Sequence, residues 1–335
     1  MKPLLSGLAK IHEGLVAGRN YFYDHSWIKI RKVPVPVISL GNLTVGGTGK
    51  TPLTDLCLRL LRERGHRPGL VCRSYRASLT GPERVNASRD GAASRYGDEA
   101  VWFARRHPES PVWSGPVKSD TAAALAAAEN VDVILVDDGF QHRRLHRDLN
   151  LVLLDATDDL PAYELLPAGR GREVLSALSR ADAVLFTKVN WAGGGVPAPV
   201  RARIPAGLPV FSFEFALSPL PDAAGEDDNL LLVSAVARPG AFEALVREQR
   251  PRARLEHRRF RDHHAYGAGD VEALLERARA LGVSRIFTTE KDEVKLRPLW
   301  PATGPSLNAL SLEVRPQSSI ESFYDVLARA FRPRP

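Results

Sequence analysis

Apolar runs rich in β-branched residues alternate with helix-like stretches over the first part of the chain. Five such runs occupy residues 34–40, 67–73, 131–138, 149–155 and 181–187. Strands that are apolar on both faces and separated by helices predict a parallel sheet with a helical layer on each side. We therefore expect an α/β fold with a buried sheet.

The pattern changes near residue 190 and later resumes. Residues 191–209 are rich in Gly and Pro, and a charged, turn-prone stretch over 221–229 follows the strand-like VFSFEF. From Leu230 the sequence predicts a strand, then a helix over 239–249, and later a strand with its exit loop over 283–292. The second part of the chain is therefore also expected to be α/β.

The first 32 residues predict an amphipathic helix that ends in an aromatic and basic cluster. Its apolar stripe consists of Leu4, Leu8, Ile11, Leu15 and Phe22, and a second stripe holds Gly7, Gly14 and Gly18. Six basic residues stand against two acidic ones in this segment. A basic helix with aromatic residues suits an anionic membrane surface. Packing of the helix on its own domain is the equally open alternative.

Composition sets the broad class of the protein. With 335 residues the chain exceeds one typical domain, and its 44% hydrophobic and 25% charged residues exclude a disordered, collagen-like or disulfide-scaffold protein. Cys57 and Cys72 lack metal-ligand spacing, which favours a reducing compartment. The formal charge of +7 favours an anionic or phosphorylated partner. We expect neither secretion nor a membrane span, because no apolar stretch is long enough.

A phosphate-binding motif is the sharpest local signal. Residues 37–61 form a strand, a glycine-rich turn and an amphipathic helix, which is the context of a Walker A loop. The residues predicted to bind a nucleoside triphosphate are Gly46, Gly47, Thr48, Gly49, Lys50 and Thr51. Backbone N–H groups would surround the phosphates, Lys50 would reach the β and γ groups, and Thr51 would bind Mg²⁺. Thr44 stands where the full motif has a glycine.

Two acidic residues follow the apolar run that ends near residue 136. Asp137 and Asp138 are predicted to hold hydrated Mg²⁺ beside the phosphate-binding turn; a simple helix cap or turn is the alternative. Together these signals predict a P-loop NTPase-like parallel sheet flanked by helices, followed by a second, smaller α/β domain.

The predicted organisation has four parts. Residues 1–32 form the helix predicted to lie at the membrane surface, and 33–205 the P-loop core. Residues 206–229 form a linker, and 230–335 the smaller C-terminal domain.

Three further groups of residues are candidates for catalysis or binding. Asp98 and Glu99 open a helix, where acidic residues also favour the helix dipole without any catalytic role. His263 lies beside carboxylates within FRDHH and is a candidate base or orienting group. Arg170 and Arg172 lie in a loop and could stabilise a transferring phosphoryl group, or be solvated.

These motifs together resemble one family. The ordered series GNLTVGGTGKTP, YGDEA, VDVILVDDGFQH, LLPAGRGRE, FRDHH and TTEKDEVKL is similar to the tetraacyldisaccharide 4'-kinase (lipid A 4'-kinase) family. The resemblance extends from about residue 10 to 330. It implies transfer of the γ-phosphoryl group of ATP, with Mg²⁺, to the 4'-hydroxyl of an acylated glucosamine disaccharide 1-phosphate, giving lipid IVA.

The resemblance also implies residue roles. Asp98 with His263 would form the catalytic dyad, assisted by Lys50 and Asp138, and the metal would be held by Thr51, Asp137 and Asp138. The residues implied to line the substrate or nucleotide cleft are Tyr75, Glu99, Lys118, Gln141, His142 and Arg172. The implied location is peripheral, at the cytoplasmic face of the bacterial inner membrane, with a lipid substrate, contact with anionic membrane, no nucleic acid and no obligate protein partner.

The chain departs from the family at three places. PAGRGRE replaces PAGPLRE, so the role of Arg172 carries over better than that of Arg170. Ser74 replaces a glycine in CRSYR. Lys118 replaces an arginine, which keeps the charge and loses the two-pronged guanidinium.

Other classes of protein share parts of this pattern. A partitioning-type P-loop ATPase, acting as a nucleotide-switched assembly protein, is the main alternative, but its extra lysine is replaced by Val45. A GTPase would need an acid where Asn190 stands after the strand that ends near residue 187. The arginine-rich run over residues 247–261 could face anionic headgroups or the substrate phosphate, or form a solvated surface. No helix-turn-helix, zinc or RNA-binding signature supports nucleic-acid binding.

Overall fold

The structure is a computed structural model, and it describes residues 2–74, 78–193, 195–220 and 229–332. Its helices in these ranges are α1 Lys2–Asp24, α2 Lys50–Glu63, α3 Ala92–Tyr96, α4 Asp98–Arg106, α5 Lys118–Ala128, α6 Ala198–Arg201, α7 Pro239–Gln249, α8 Ala268–Leu281, α9 Glu290–Leu296 and α10 Ile320–Leu327. Its strands are β1 Val37–Asn42, β2 Pro68–Arg73, β3 Glu83–Arg84, β4 Val112–Gly115, β5 Val133–Asp137, β6 Leu149–Asp155, β7 Ala183–Thr187, β8 Val210–Leu217, β9 Asn229–Ser234, β10 Arg254–Arg259, β11 Arg285–Thr289, β12 Ser306–Leu310 and β13 Leu312–Pro316.

Nine of the described strands form one sheet in the order β13-β8-β7-β6-β1-β5-β2-β4-β3. Strands β8 to β4 in this order run parallel, while β13 and β3 pair antiparallel at the two edges. The five strands predicted for the first part of the chain are all present in this sheet. The P-loop NTPase-like α/β fold is confirmed.

Both faces of this sheet are covered, as the apolar runs predicted. Ile38 and Leu40 of β1 pack in one buried cluster with α2, whereas Val37 packs in another with Leu125 of α5. Alternate residues of one strand therefore serve opposite layers, which is why the strand is apolar throughout.

The other four described strands form a fully parallel sheet in the order β10-β9-β11-β12. Helix α7 packs on one face through Phe242 and Val246, and α8 packs on the other through Val271 and Leu274. We call residues 229–310 the small lobe, and the nine-stranded sheet with its helices the large lobe.

Two segments lie in the large lobe although the sequence assigned them elsewhere. Strand β8 falls within the stretch predicted as a linker (206–229), and β13 falls within the stretch predicted as the C-terminal domain (230–335). Helix α10 also returns to the large lobe, where Phe323 packs edge-to-face against Phe213 of β8 at 5.2 Å. The chain therefore leaves the large lobe after β8 and re-enters it at β13, since β13 finds its partner in β8.

Helix α1 ends at Asp24, earlier than the predicted segment 1–32. The described side chains of its apolar stripe are exposed, with Ile11 at 63% and Leu15 at 70% of their full accessibility. Among the described residues, no helix combines the length and the apolar character that crossing a membrane requires.

Candidate active site

The glycine-rich turn joins the end of β1 to the start of α2. Gly46 and Gly49 have φ angles of +113° and +83°, which favour glycine, and α2 begins directly afterwards at Lys50. The first N–H groups of α2 have no acceptor within the helix, and the helix dipole adds positive potential there. A Cβ atom on Gly47 would meet no heavy atom within 4 Å. The open, positively polarised turn fits the phosphates of a nucleotide.

Thr44, the departure from the full Walker A pattern, is compatible with this turn. It is buried, has no positive φ, and pairs with Gly171 in an antiparallel bridge. A glycine is therefore not needed at this position, because the backbone conformation is open to other residues.

Asp138 lies between two cations at the carboxyl end of the sheet. Arg172 donates from Nη1 to Oδ2 at 3.0 Å and from Nη2 to Oδ1 at 2.8 Å, and Lys50 Nζ lies 3.5 Å from Oδ1. Burial raises the pKa of Asp138, but the charge of Lys50 and the hydrogen bonds from Arg172 outweigh it and hold the pKa well below its ordinary value. An ionised carboxylate therefore lies against the P-loop lysine.

Asp137 ends β5 and is buried, and Thr54 Oγ1 donates to its Oδ1 at 3.3 Å. Burial, followed by the negative charge of Glu99, raises the pKa of Asp137 to about 6. The buried ammonium group of Lys118 donates to the carbonyl oxygen of Asp137 and, at 2.6 Å, to that of Asp138. Lys118 thus supports the backbone of the acidic turn, and its expected contact with substrate stays a prediction.

Asn42 is a site residue that sequence reasoning missed. Its Oδ1 accepts a hydrogen bond from Lys50 Nζ at 3.1 Å and another from Arg172, and its carbonyl oxygen accepts from Gln141 Nε2 at 2.9 Å. The one available signal was a polar residue at the end of an apolar, buried strand. Asn42 links the P-loop to the acidic turn.

The oxygen donors beside the turn fit Mg²⁺ that arrives with a nucleotide. Within the described ranges, His, Cys, Asp and Glu side chains form no cluster of three or more that could hold a metal. Mg²⁺ in nucleotide sites takes only one or two carboxylates and completes its octahedron with phosphates and water. Thr51, Asp137 and Asp138 carry oxygen atoms of this kind, and their use as Mg²⁺ ligands stays a prediction.

A carboxylate and an imidazole meet where the two lobes face each other. His263 Nδ1 of the small lobe lies 3.1 Å from Asp98 Oδ2, and the backbone N–H of Glu99 donates to Asp98 Oδ1 at 3.0 Å. His263 has a left-handed φ of +58°, which is uncommon for a residue with a side chain. Hydrogen bonds to both of its oxygens therefore fix the orientation of the Asp98 carboxylate.

The charges around this pair are set by its neighbours. Burial raises the pKa of Asp98, but the hydrogen bond with His263 and the charges of Lys291 and Lys295 outweigh it, so this pKa is below its ordinary value. The hydrogen bond to Asp98 raises the pKa of His263 against the opposing effect of burial. Asp98 is thus ionised at neutral pH.

Two lysines of α9 complete the acidic side of the site, and sequence reasoning assigned neither a role. Lys291 Nζ lies 2.7 Å from Glu99 Oε1, and Lys295 Nζ lies 3.9 Å from Asp98 Oδ2. The available signal was their spacing of four residues, which places both on one face of a helix.

Gln141 and His142 follow the acidic turn. Gln141 Oε1 is buried with no hydrogen-bond partner in the described part of the chain, so it offers an acceptor to a bound ligand. Burial, together with the charge of Lys118, lowers the pKa of His142 to about 3, so its imidazole is neutral. Tyr75, which the family resemblance implied for the same cleft, lies outside the described residues.

A second ionic network lies on the other side of the P-loop. Lys188 donates to the carbonyl oxygen of Gly47 and lies 2.5 Å from Asp155, which also accepts from Arg238 of the small lobe at 3.1 Å. Arg238 reaches Asp158 as well, again at 3.1 Å. The network therefore joins the turn to both lobes.

Arg170 and Asn190 are both engaged in the large lobe. Arg170 forms an ion pair with Asp158 and does not share the Asp138 contacts of Arg172. The side-chain amide of Asn190 donates to the carbonyl oxygen of Phe215 at 2.9 Å and accepts from its N–H at 3.0 Å. Because these two bonds use both ends of the amide, Asn190 is not free to recognise guanine.

A phosphate-binding turn at the carboxyl edge of a parallel sheet, with acidic residues and a cross-lobe carboxylate–imidazole pair beside it, defines a P-loop phosphotransferase. The family model for tetraacyldisaccharide-1-P 4'-kinase matches residues 1–332. The chain belongs to this family, and it is a kinase that uses ATP.

Relatives of known name agree with this assignment. A tetraacyldisaccharide 4'-kinase of Bdellovibrio bacteriovorus is 38% identical, over 99% of this chain and all of that one. A tetraacyldisaccharide 4'-kinase of Chlorobium luteolum is 35% identical over 84% of each chain. The crystal structure of LpxK from Aquifex aeolicus in complex with ATP is similar with a TM-score of 0.77, at 27% identity and 99% coverage of both chains.

Proposed function

We propose that this chain transfers the γ-phosphoryl group of ATP to the 4'-hydroxyl of tetraacyldisaccharide 1-phosphate, giving lipid IVA. The observation that carries this proposal is the Asp98–His263 pair beside the phosphate-binding helix. Glu99, the next residue along α4, accepts a hydrogen bond from Thr51 of that helix at 3.2 Å. A proton acceptor this close to the nucleotide suits a hydroxyl acceptor, which must lose a proton as it takes up phosphate.

The phosphate end of the reaction uses the turn and its cations. The N–H groups over residues 46–51 bind the phosphates of ATP, and Lys50 and Arg172 offset the charge that develops during transfer. When bound, Mg²⁺ neutralises phosphate charge and orients the oxygens that react. Thr51, Asp137 and Asp138 are the residues that would hold it.

The acceptor end uses the pair across the lobes. Asp98 is ionised and takes the proton of the 4'-hydroxyl, either directly or by way of the Nε2 atom of His263. Both routes depend on the 3.1 Å contact between the two side chains, which orients the carboxylate for the first route and the imidazole for the second. Glu99, Gln141 and His142 line the cleft beside them.

The same residues discriminate this activity from that of a nucleotide-switched assembly protein. A switch protein needs nucleotide and metal contacts but has no need for an oriented base at a second lobe. The partitioning-type alternative also calls for a lysine where exposed Val45 stands, so it is not favoured.

A transfer assay tests the proposed function. Purified protein with Mg²⁺ and γ-labelled ATP should place label on the acylated disaccharide. Asp98→Asn should lower transfer by about 10²- to 10⁴-fold, the usual contribution of a general base, while ATP binding persists. ATP turnover that leaves no label on the lipid, or needs DNA or a partner protein, would refute the proposal.

Contact of α1 with the membrane is part of the same proposal. The side of α1 that faces the protein is mixed, since Leu5, Ala9 and Val16 are partly buried there. Two polar residues of this side contact the large lobe: His12 Nδ1 lies 3.0 Å from the carbonyl oxygen of Leu166, and Asn20 Nδ2 donates to Glu173 at 3.0 Å. The apolar residues Ile11 and Leu15 are exposed. A helix that leaves an apolar stripe uncovered by its own domain suits a lipid surface, where that stripe is buried.

The aromatic cluster after α1 supports this orientation. Tyr21, Phe22 and Trp27 are all exposed, and the rings of Phe22 and Trp27 stack at 5.3 Å. Aromatic rings of this kind sit at the headgroup level of a bilayer. Because ATP is a cytoplasmic substrate, we place the protein at the cytoplasmic face of the inner membrane, as a peripheral protein.

Vesicle sedimentation tests the membrane contact. Replacing Leu8, Ile11 and Leu15 together by Ser should weaken binding to phosphatidylglycerol-containing vesicles at least about tenfold, since each buried leucine contributes roughly 1.5–3 kcal/mol. Ala17→Ser, at another exposed position of the helix, is the matched control and should bind as before. If the unchanged protein, the triple Ser variant and Ala17→Ser all sediment equally with the vesicles, α1 packs on its own domain and does not bind the membrane.

A further inference from the structure

One carboxylate oxygen joins the phosphate-binding helix to the small lobe. Glu99 Oε1 accepts a hydrogen bond from Thr51 Oγ1 at 3.2 Å, and Lys291 Nζ lies 2.7 Å from the same oxygen. Thr51 belongs to α2, Glu99 to α4 and Lys291 to α9. The three side chains form a relay across the two lobes.

The relay determines which lone pairs of the Thr51 hydroxyl are available to bind a cation. A hydroxyl has one hydrogen to donate and two lone pairs to accept or to bind a cation. When the hydrogen is committed to Glu99, both lone pairs remain for a cation next to the phosphate-binding turn. The orientation of the hydroxyl therefore follows the position of Glu99.

Glu99 is held in place from the small lobe. Lys291 Nζ lies 2.7 Å from Glu99 Oε1 on the small-lobe side, and the Thr51 hydroxyl reaches the same oxygen from α2 at 3.2 Å. The ion pair therefore holds this oxygen in position as the acceptor for Thr51.

We propose that Lys291 is a positioning residue for the cation that binds with the nucleotide, acting through Glu99 to orient the hydroxyl of Thr51. The small lobe thereby contributes to metal–nucleotide binding before any acceptor is present. The inference rests on the proposed use of Mg²⁺ and ATP, and it adds a residue to which no role has been given.

The same two helices offer a matched control. Arg105 of α4 and Glu293 of α9 form an ion pair at 3.9 Å, and neither has a described contact with Thr51 or Glu99. Arg105→Met removes a charge contact between the same helices and leaves the relay intact. It separates a role in positioning from a role in holding the helices together.

Binding of a non-hydrolysable nucleotide is the readout, because it needs neither the lipid acceptor nor turnover. The affinity for AMP-PNP is measured by calorimetry on the full chain, once with EDTA and once with excess Mg²⁺, and the ratio of the two gives the enhancement by Mg²⁺. In Lys291→Met this enhancement should fall about 10- to 100-fold, the usual cost of losing an outer partner of a metal ligand. Affinity in EDTA should not change.

Four further variants make the test decisive. Lys291→Arg keeps the charge and should recover most of the enhancement, and Arg105→Met should retain it all. Glu99→Ala removes the acceptor of Thr51 and should lose the enhancement by Mg²⁺ as Lys291→Met does. The double variant Lys291→Met/Glu99→Ala should lose no more of the enhancement than Glu99→Ala alone.

Full enhancement by Mg²⁺ in Lys291→Met or in Glu99→Ala overturns the proposal. So does an equal loss in Arg105→Met, which would make Lys291 a structural residue. If Lys291→Met does not fold, Glu99→Ala still breaks the relay and tests it by the same measurement. Because no lipid is used, none of these outcomes depends on whether the lipid is the acceptor.

Discussion

Gly49, the last residue before α2, is where the shape of the phosphate-binding turn is most sensitive to one added methyl group. Its φ of +83° lies in the left-handed region, and a Cβ atom there would lie 2.6 Å from Cζ of Phe215. Phe215 is fully buried, and its backbone is held on both sides by the Asn190 amide. The ring therefore has little freedom to move away.

The expected cost of Gly49→Ala is the sum of two effects. A left-handed conformation costs an L-residue roughly 1–2 kcal/mol, and overpacking of a buried site costs roughly 1–3 kcal/mol. The free energy of unfolding should therefore fall by about 2–5 kcal/mol. Gly47→Ala adds the same methyl group to the same turn, but in open space and without a left-handed φ, so its effect should stay below about 1 kcal/mol.

Urea unfolding of the nucleotide-free proteins measures both values. Unfolding followed by tryptophan fluorescence and by circular dichroism should give a lower midpoint for Gly49→Ala, with Gly47→Ala close to the unchanged protein. If the two variants lose equal stability, or if Gly49→Ala loses less than about 1 kcal/mol, the contact between the turn and Phe215 is not as described.

Two further predictions concern the Asp98–His263 pair and the ionic network around Asp155. His263→Gln should lower the melting temperature most at pH below 6.5. The pKa of His263 is raised in the folded protein, so the stabilisation is complete below the ordinary pKa of 6.5 and is lost as the pH rises through the raised pKa. A difference in melting temperature that does not change with pH would contradict this. Lys188→Met should cost roughly 1–3 kcal/mol in urea unfolding, because the fully buried Asp155 loses its buried partner while Arg238 and Thr157 still contact it. Arg238→Met should cost about 1 kcal/mol or less, since Arg238 is 36% exposed, and equal losses in the two variants would refute the distinction.

The parts of the fold that could be predicted are those with a strong local pattern. Strand β6 and helix α7 have the predicted bounds, because an apolar run between turns and a helical period after proline are both visible within about ten residues. The first three residues of helix α9 were predicted as part of an exit loop, since this short, mostly charged segment shows little periodicity. Strand β13 could not be assigned, because its partner β8 lies about 95 residues earlier in the chain.

The candidate site divides in the same way. The turn from Gly46 to Thr51 was predictable because its function depends on consecutive backbone N–H groups. The pairing of Asp98 with His263 joins residues 165 positions apart, and only the family resemblance implied it. The contact of Lys291 with Glu99 spans 192 positions, and it requires knowledge of how the lobes pack.

The division of contacts around Asp138 explains how the acidic turn can accommodate a nucleotide. Lys50 is shared between Asn42 and Asp138, with its Nζ at 3.1 Å and 3.5 Å from their oxygens, whereas Arg172 holds both oxygens of Asp138. A phosphate that takes Lys50 as its partner therefore removes only the longer of the contacts to Asp138. The two-pronged bond from Arg172 stays and keeps the carboxylate ionised and oriented. The lysine is thus free to follow the phosphate while the acidic turn keeps its geometry.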